Sequence, residues 1–249
     1  MTSKKYVLIY KDRGVGPLSF KETLLSLRAC LPSTYQVNSV NAAAVIQGDV
    51  FDDAALFVLP GGRDVPYHED LAGAGNNNLR HFVNSGGGFL GICAGAYFGA
   101  GEVLFENGHP LEVKGTRELA FFPGLAEGPV YGLGRYRYDS EESGKAALVN
   151  IQGQTLHIYY NGGCSFRDVH LFEPSINVLG SYQDAGDKPL AAIIQCQVGK
   201  GTVILSGVHL DYRPQCVKNQ VPDELVELLE KSDASRIKLL TELLSKVLA

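Results

Sequence analysis

The chain has 249 residues, 45% hydrophobic and 20% charged with no low-complexity tract, which is long enough to bury a substantial core. Its net charge of −5 argues against the basic face that a nucleic acid or an anionic membrane would need, so neither is expected as a partner. No segment approaches the roughly 18 consecutive apolar residues that cross a bilayer, and the cysteines (Cys30, Cys93, Cys164, Cys196, Cys216) are odd in number with no C-x-x-C pair, so neither a disulfide framework nor a metal site is expected.

In chain order, Tyr6–Tyr10 is the first strand; the run is too short for a signal-peptide core, and a cytoplasmic protein is expected. Pro17 suits a first helical turn, and Leu18–Leu31 carries Leu24, Leu25, Leu27 and Leu31 as a stripe. Ala54–Leu59 and Phe89–Ile92 are continuous apolar runs, as in a parallel sheet covered on both faces. Between them Asn76–Ser85 is a helix, closed by Gly86-Gly87-Gly88 as a left-handed cap. From Val103 to about Gln183, glycines, prolines and tyrosines with short strands such as Thr155–Tyr160 predict an antiparallel insertion. Ala191–Gln197 and Thr202–Ser206 form a hairpin. A helical tail from about Pro222 carries Leu225, Leu228, Leu229, Leu239, Leu240, Leu243 and Leu244, read first as a core face and second as a homodimer seam. No linker divides the chain. The pattern predicts one α/β domain over residues 1–249, a doubly wound, mostly parallel, flavodoxin-like sheet with an antiparallel β insertion.

The chemistry concentrates at Gly91-Ile92-Cys93-Ala94-Gly95, where an apolar strand ends in Gly-x-Cys-x-Gly and small residues open a helix. In the analogous Gly-x-Ser-x-Gly arrangement the nucleophile sits on a strained strand-to-helix turn. Placed at the carboxyl end of the sheet and at a helix N-terminus, Cys93 is favoured as thiolate. The nearby Gly86-Gly87-Gly88-Phe89-Leu90-Gly91 spells G-x-G-x-x-G, but it follows a helix and enters a strand, the reverse of a dinucleotide site. No cofactor is expected. His209, past the end of an apolar strand, is the candidate base, and Asp211 could accept its other ring N–H if the chain turns there. Pro60-Gly61-Gly62, after a strand, offers N–H groups for an oxyanion, joined by that of Ala94.

Pro60-Gly61-Gly62, the Cys93 elbow and Ser206-Gly207-Val208-His209 together resemble the class I glutamine amidotransferase-like superfamily. Leu59 to Tyr67, the elbow with Ala96-Tyr97, and Tyr159-Tyr160-Asn161-Gly162-Gly163 resemble more narrowly the biotin-protein ligase N-terminal domain family, which precedes the ligase in some fungal enzymes and also occurs free-standing in bacteria. The resemblance implies Cys93 as nucleophile, His209 as base, Gly61 and Gly62 at the oxyanion, and Tyr160 and Asn161 on the substrate side. The superfamily's usual His-Pro-Glu is His209-Leu210-Asp211 here, a carboxylate one methylene shorter. No biotin ligase domain is read in the chain: Gly132-Leu133-Gly134-Arg135-Tyr136-Arg137 resembles a biotinyl-adenylate loop only faintly, and a glycine-arginine surface turn explains it as well.

The leading expectation is a Cys–His(–Asp) hydrolase of a small amide such as glutamine, working through a thioester on Cys93, with a synthase or a biotin ligase as partner. The alternatives are a non-catalytic binding or regulatory module linked to biotin metabolism, and a thiol redox or stress protein of the same fold.

Overall fold

A computed structural model describes residues 5–249. The chain opens with strand β1 (Tyr6–Tyr10), helix α1 (Pro17–Cys30), β2 (Gln36–Val40), α2 (Ala42–Gln47), β3 (Ala54–Leu59), α3 (Asp64–Leu71) and α4 (Ala74–Asn84). Next come β4 (Gly88–Ile92), α5 (Ala94–Gly99), β5 (Ala100–Phe105), β6 (Val113–Thr116), β7 (Phe122–Gly128), β8 (Lys145–Ile151), β9 (Gln154–Tyr160) and β10 (Ser165–Phe166). It closes with β11 (Ile176–Tyr182), β12 (Leu190–Val198), β13 (Gly201–Ser206) and the 25-residue α6 (Asp223–Val247).

One sheet runs β2-β1-β3-β4-β13-β12-β10-β7-β5-β6, with β11, β8 and β9 branching from β12. The half from β2 to β13 is parallel throughout and makes a doubly wound core. The insertion is antiparallel, as the glycine-rich middle predicts, except that β5 and β7 pair in parallel. The hairpin of β12 and β13 hands the chain back to the core, because β13 pairs antiparallel with β12 and parallel with β4.

Period-two alternation sorts the core into two layers. Val7, Ile9, Leu56, Val58, Leu90, Ile92 and Ile204 face one way and pack with Leu27 of α1 and Leu239, Leu240, Leu243 and Leu244 of α6. Leu8, Tyr10, Phe57, Leu59, Phe89, Val203 and Leu205 face the other way, with Leu79 and Phe82 of α4 and Phe98 of α5. The leucine stripe of α6 is therefore buried within its own chain, while Leu228 points outward at 36% exposure. Gly86, at φ 106°, closes α4 as expected, and the N–H of Gly87 returns to the Phe82 carbonyl.

The leucine stripe on α1 is found in part. Leu27 is buried and Leu24 and Leu31 pack half-buried against the same core cluster, Leu25 is half-buried outside it, and the other residues that α1 buries are Ser19, Glu22, Thr23 and Ser26. Spaced i, i+3, i+4 and i+7, they form a polar stripe where packing alone calls for an apolar one. Two short helices, α2 and α3, are additions to the sequence reading. The second starts immediately after Arg63, so the Pro-Gly-Gly turn leads straight into a helix.

Candidate functional site

Cys93 stands between β4 and α5 at φ 52° and ψ −107°. A non-glycine residue there stores of order 1–3 kcal/mol of strain, held because its N–H donates to the Ser206 carbonyl (2.8 Å) and its carbonyl accepts from Ala96 and Tyr97 (2.9 and 3.1 Å). The flanking glycines are steric necessities: a Cβ on Gly91 would lie 2.4 Å from the Gly95 carbonyl oxygen, and one on Gly95 would lie 2.0 Å from that of Leu59. The thiol is 7% exposed and donates to the Asn161 carbonyl at 3.6 Å.

His209 reaches the same edge. Its N–H donates to the Tyr159 carbonyl (2.8 Å), and the chain then turns, Leu210 N–H to Val208 and Tyr212 N–H to His209. The ring centroid lies 4.2 Å from that of Tyr212 and 5.9 Å from that of Tyr159. A Cβ on Gly61 would fall 2.7 Å from His209 Cε1 and 3.5 Å from Cys93 Cβ, so imidazole, thiol and bare glycine crowd one point. Burial opposes charge on this imidazole, yet its electrostatic coupling and hydrogen bond to Cys93, together with Asp211, outweigh that and raise the His209 pKa to about 10. Nδ1 lies 3.4 Å from Asp211 Oδ1, and neither atom has a satisfactory hydrogen bond.

The polar stripe of α1 meets this turn. Thr23 Oγ1 donates to Asp211 Oδ2 and Ser26 Oγ to the Asp211 carbonyl, each at 2.6 Å. Ser19 pairs with the Tyr212 hydroxyl (2.8 Å), and Glu22 accepts both arms of Arg213 (2.8 and 2.9 Å). From the far side Arg236 of α6 donates to the Leu210 carbonyl at 2.6 Å. Sequence reasoning missed Ser19, Glu22, Thr23, Ser26, Arg213 and Arg236; for the four on α1 the spacing of hydrophilic residues at 19, 22, 23 and 26 within a helix otherwise rich in leucine was the available signal.

The N–H groups of Gly62 and Ala94 donate to no protein acceptor among the described residues, and both residues line a small recess beside Cys93. Gly62, at φ 147°, must be glycine, because a Cβ would strike the Gly14 carbonyl at 2.0 Å. Gly61 lines neither the recess nor the larger cleft; its bareness makes room for the imidazole. Tyr160 is corrected more strongly. It is fully buried, its hydroxyl donates to Gly163 and accepts from the Val130 N–H, and it lines neither the recess nor the larger cleft. Asn161 does line the cleft, but its side chain is committed to Ser140, Glu141 and Ser143, and only its carbonyl faces the thiol.

Outside Cys93 opens a cleft of about 700 Å³ between the loop before α1 and the segment from 129 to 144. Tyr136 and Tyr138 close its inner end; burial pushes both phenols up, so they remain protonated. Arg63 sits 4.2 Å over the Tyr138 ring and pairs with Asp139 at 2.7 Å, tying this segment to the Pro-Gly-Gly turn. The Gly132–Arg137 stretch is thus a turn ending in a cleft-lining tyrosine. Beneath the recess Asp64 and Arg117 form a buried ion pair at 2.7 Å. Among the described residues no group of three or more His, Cys, Asp or Glu is placed to hold a metal, and no helix is long and apolar enough to cross a membrane.

The family described as "Biotin-protein ligase, N terminal" matches residues 5–248. An uncharacterized protein of Chlamydia muridarum is 38% identical over 216 residues, 84% of this chain and 81% of that protein. The biotin–protein ligase of Schizosaccharomyces pombe is 35% identical over 212 residues, 83% of this chain but 33% of its own length, so this chain spans about a third of that relative. Among solved structures, PurLQS from Thermotoga maritima superposes with a TM-score of 0.55 at 14% identity, over 84% of this chain and 88% of that one. A cytoplasmic protein from Salmonella typhimurium LT2 gives 0.53 at 11% identity, over 98% and 99%. The fold is that of the class I glutamine amidotransferases.

Proposed function

This chain belongs to the biotin-protein ligase N-terminal family, and from that premise we propose that it is a cysteine-nucleophile hydrolase of a small amide, with glutamine the first candidate. The observation that carries the reading is convergence: a strained thiol, a buried imidazole in contact with it, and two undonated N–H groups share one edge of the sheet. The Cys93 thiolate attacks the amide carbonyl, and the N–H groups of Gly62 and Ala94 receive the oxyanion. The His209 imidazolium gives its proton to the departing amine. Neutral again, it takes a proton from the water that cleaves the thioester, returning acid and thiolate. The substrate enters through the outer cleft, its carbonyl reaching the recess between Tyr136 and Tyr138. Residues 5–249 act as one domain. A biotin ligase, named in the S. pombe relative, and an ammonia-using synthase are the partners to seek.

The test is turnover of an amide panel, glutamine included, with ammonia release measured and the acyl-enzyme trapped for mass spectrometry. Wild-type protein should release ammonia from at least one amide and carry the acyl group on Cys93, and Cys93→Ser should do neither. No turnover and no adduct across the panel would replace the hydrolase with the binding-module reading.

A further inference from the structure

We propose that helix α1 belongs to the reactive centre, with Thr23, backed by Ser26, as the positioning residue that fixes Asp211 against His209. The inference rests on the reading of Cys93 and His209 as nucleophile and acid–base group.

Asp211 Oδ2 takes the Thr23 hydroxyl and the backbone carbonyl takes that of Ser26. That leaves Oδ1, which has no hydrogen-bond partner and lies 3.4 Å from His209 Nδ1. Rotating the carboxylate away from the imidazole would break the Thr23 bond inside a site where Thr23 is 0% and Asp211 1% exposed. Both hydroxyls come from adjacent turns of one helix, so carboxylate and main chain are held against a single rigid body. A purely scaffolding face would be apolar, since burying hydroxyls and a carboxylate is unfavourable unless each is hydrogen-bonded. Here each is, and each bond ends on the turn that carries the imidazole.

The ionisable neighbours are few. Cys93 comes from the elbow, Tyr159 from β9 with Glu141 bound to it, and Tyr212 and Cys216 from the chain after β13. Glu22 is neutralised by Arg213, and Arg236 by Asp233. Among the described residues only Thr23 donates a hydrogen bond to the Asp211 carboxylate.

The experiment follows iodoacetamide alkylation of Cys93, read on its own peptide, from about pH 5 to about pH 11. His209→Asn should keep the rise that comes from ionisation of the thiol itself and lose the further alkaline inflection, from departure of the His209 proton, that wild-type protein shows. Thr23→Val should move that inflection down by about one pH unit, a ~10-fold change in the imidazolium equilibrium, and Thr23→Ser should restore it. A lower melting temperature with an unmoved inflection is what a scaffold gives and would overturn the proposal. Should Thr23→Val not fold, Ser26→Ala loosens the same aspartate from its backbone side, and an unshifted profile there overturns it equally. A wild-type profile identical to that of His209→Asn overturns the dyad itself and the positioning role with it.

Discussion

Replacing Gly95 by alanine tests whether the elbow's geometry is set by contact with β3. The backbone at Gly95 is not left-handed, so only space is at stake. The new Cβ would sit 2.0 Å from the Leu59 carbonyl oxygen and 2.8 Å from its carbon, where ordinary contact begins at 3.4 Å. A displacement of about 1 Å or more is required, and the obstacle is main chain pinned by the pairing of Leu59 with Gly91. Overpacking typically costs ~1–3 kcal/mol, and a rigid obstacle puts this case at about 3 kcal/mol. For a chain of this size that lowers Tm by roughly 6–12 °C. The same displacement carries the thiol off the imidazole, so turnover of any substrate should fall by about 100-fold. Thermal unfolding by circular dichroism, with the Cys93 alkylation profile, reads both effects. Gly73→Ala is the control: nothing lies within 4 Å of the new Cβ, so at φ 72° and ψ −102° it costs only about 1–3 kcal/mol of backbone strain and leaves Cys93 chemistry unchanged. A Gly95→Ala protein melting within about 2 °C of wild type, with an unchanged profile, would refute the account of the elbow.

Competitive alkylation near neutral pH should label Cys93 first, although Cys30 and Cys216 are more exposed, because Cys93 stands at a helix N-terminus beside an imidazole while burial pushes up Cys164, Cys216 and Cys196, the last to about 12; first labelling at Cys30 or Cys216 contradicts this. A His209 pKa raised from 6.5 to about 10 means that the folded state binds the proton more tightly than the unfolded chain. Its stabilisation is complete below about pH 6.5 and is lost as pH rises through about 10, so urea midpoints of His209→Asn should lack that alkaline slope. Arg117→Met leaves Asp64 buried without its partner and should destabilise the protein by about 3–5 kcal/mol, against less than about 1 kcal/mol for Arg63→Met at the exposed Asp139 pair.

What was legible in the sequence was what depends on neighbours in the chain. Phe89–Ile92 with its bracketing glycines announces both a buried strand and the elbow, because the same few residues supply apolarity and the absence of Cβ atoms. His209 was legible because it follows β13, and parallel pairing with β4 brings the two strand ends together. The face of α1 was not, because Thr23 and Asp211 are 188 positions apart and only the fold shows that a hydrophilic stripe looks inward. Tyr160 was misplaced for a similar reason: along β9 successive side chains alternate, so Tyr159 stacks on Tyr212 beside His209 while its neighbour points into the aromatic cluster with Tyr131 and Tyr182.

The separation of α1 from its partners also orders events in time. During synthesis the elbow emerges long before residue 209, and at roughly 5–20 residues per second the interval is on the order of ten seconds. Through that interval Cys93 has neither imidazole nor aspartate beside it, and α1 presents its hydroxyls and Glu22 to water. Arrival of β13 and the turn after it closes the loop between the two ends at once, since the strand, the imidazole and the Asp211 clasp travel on one short segment. Cys93 therefore meets His209 only once β13 is in place, and a nascent or truncated chain lacking residues past Ser206 has neither His209 nor Asp211 beside the thiol.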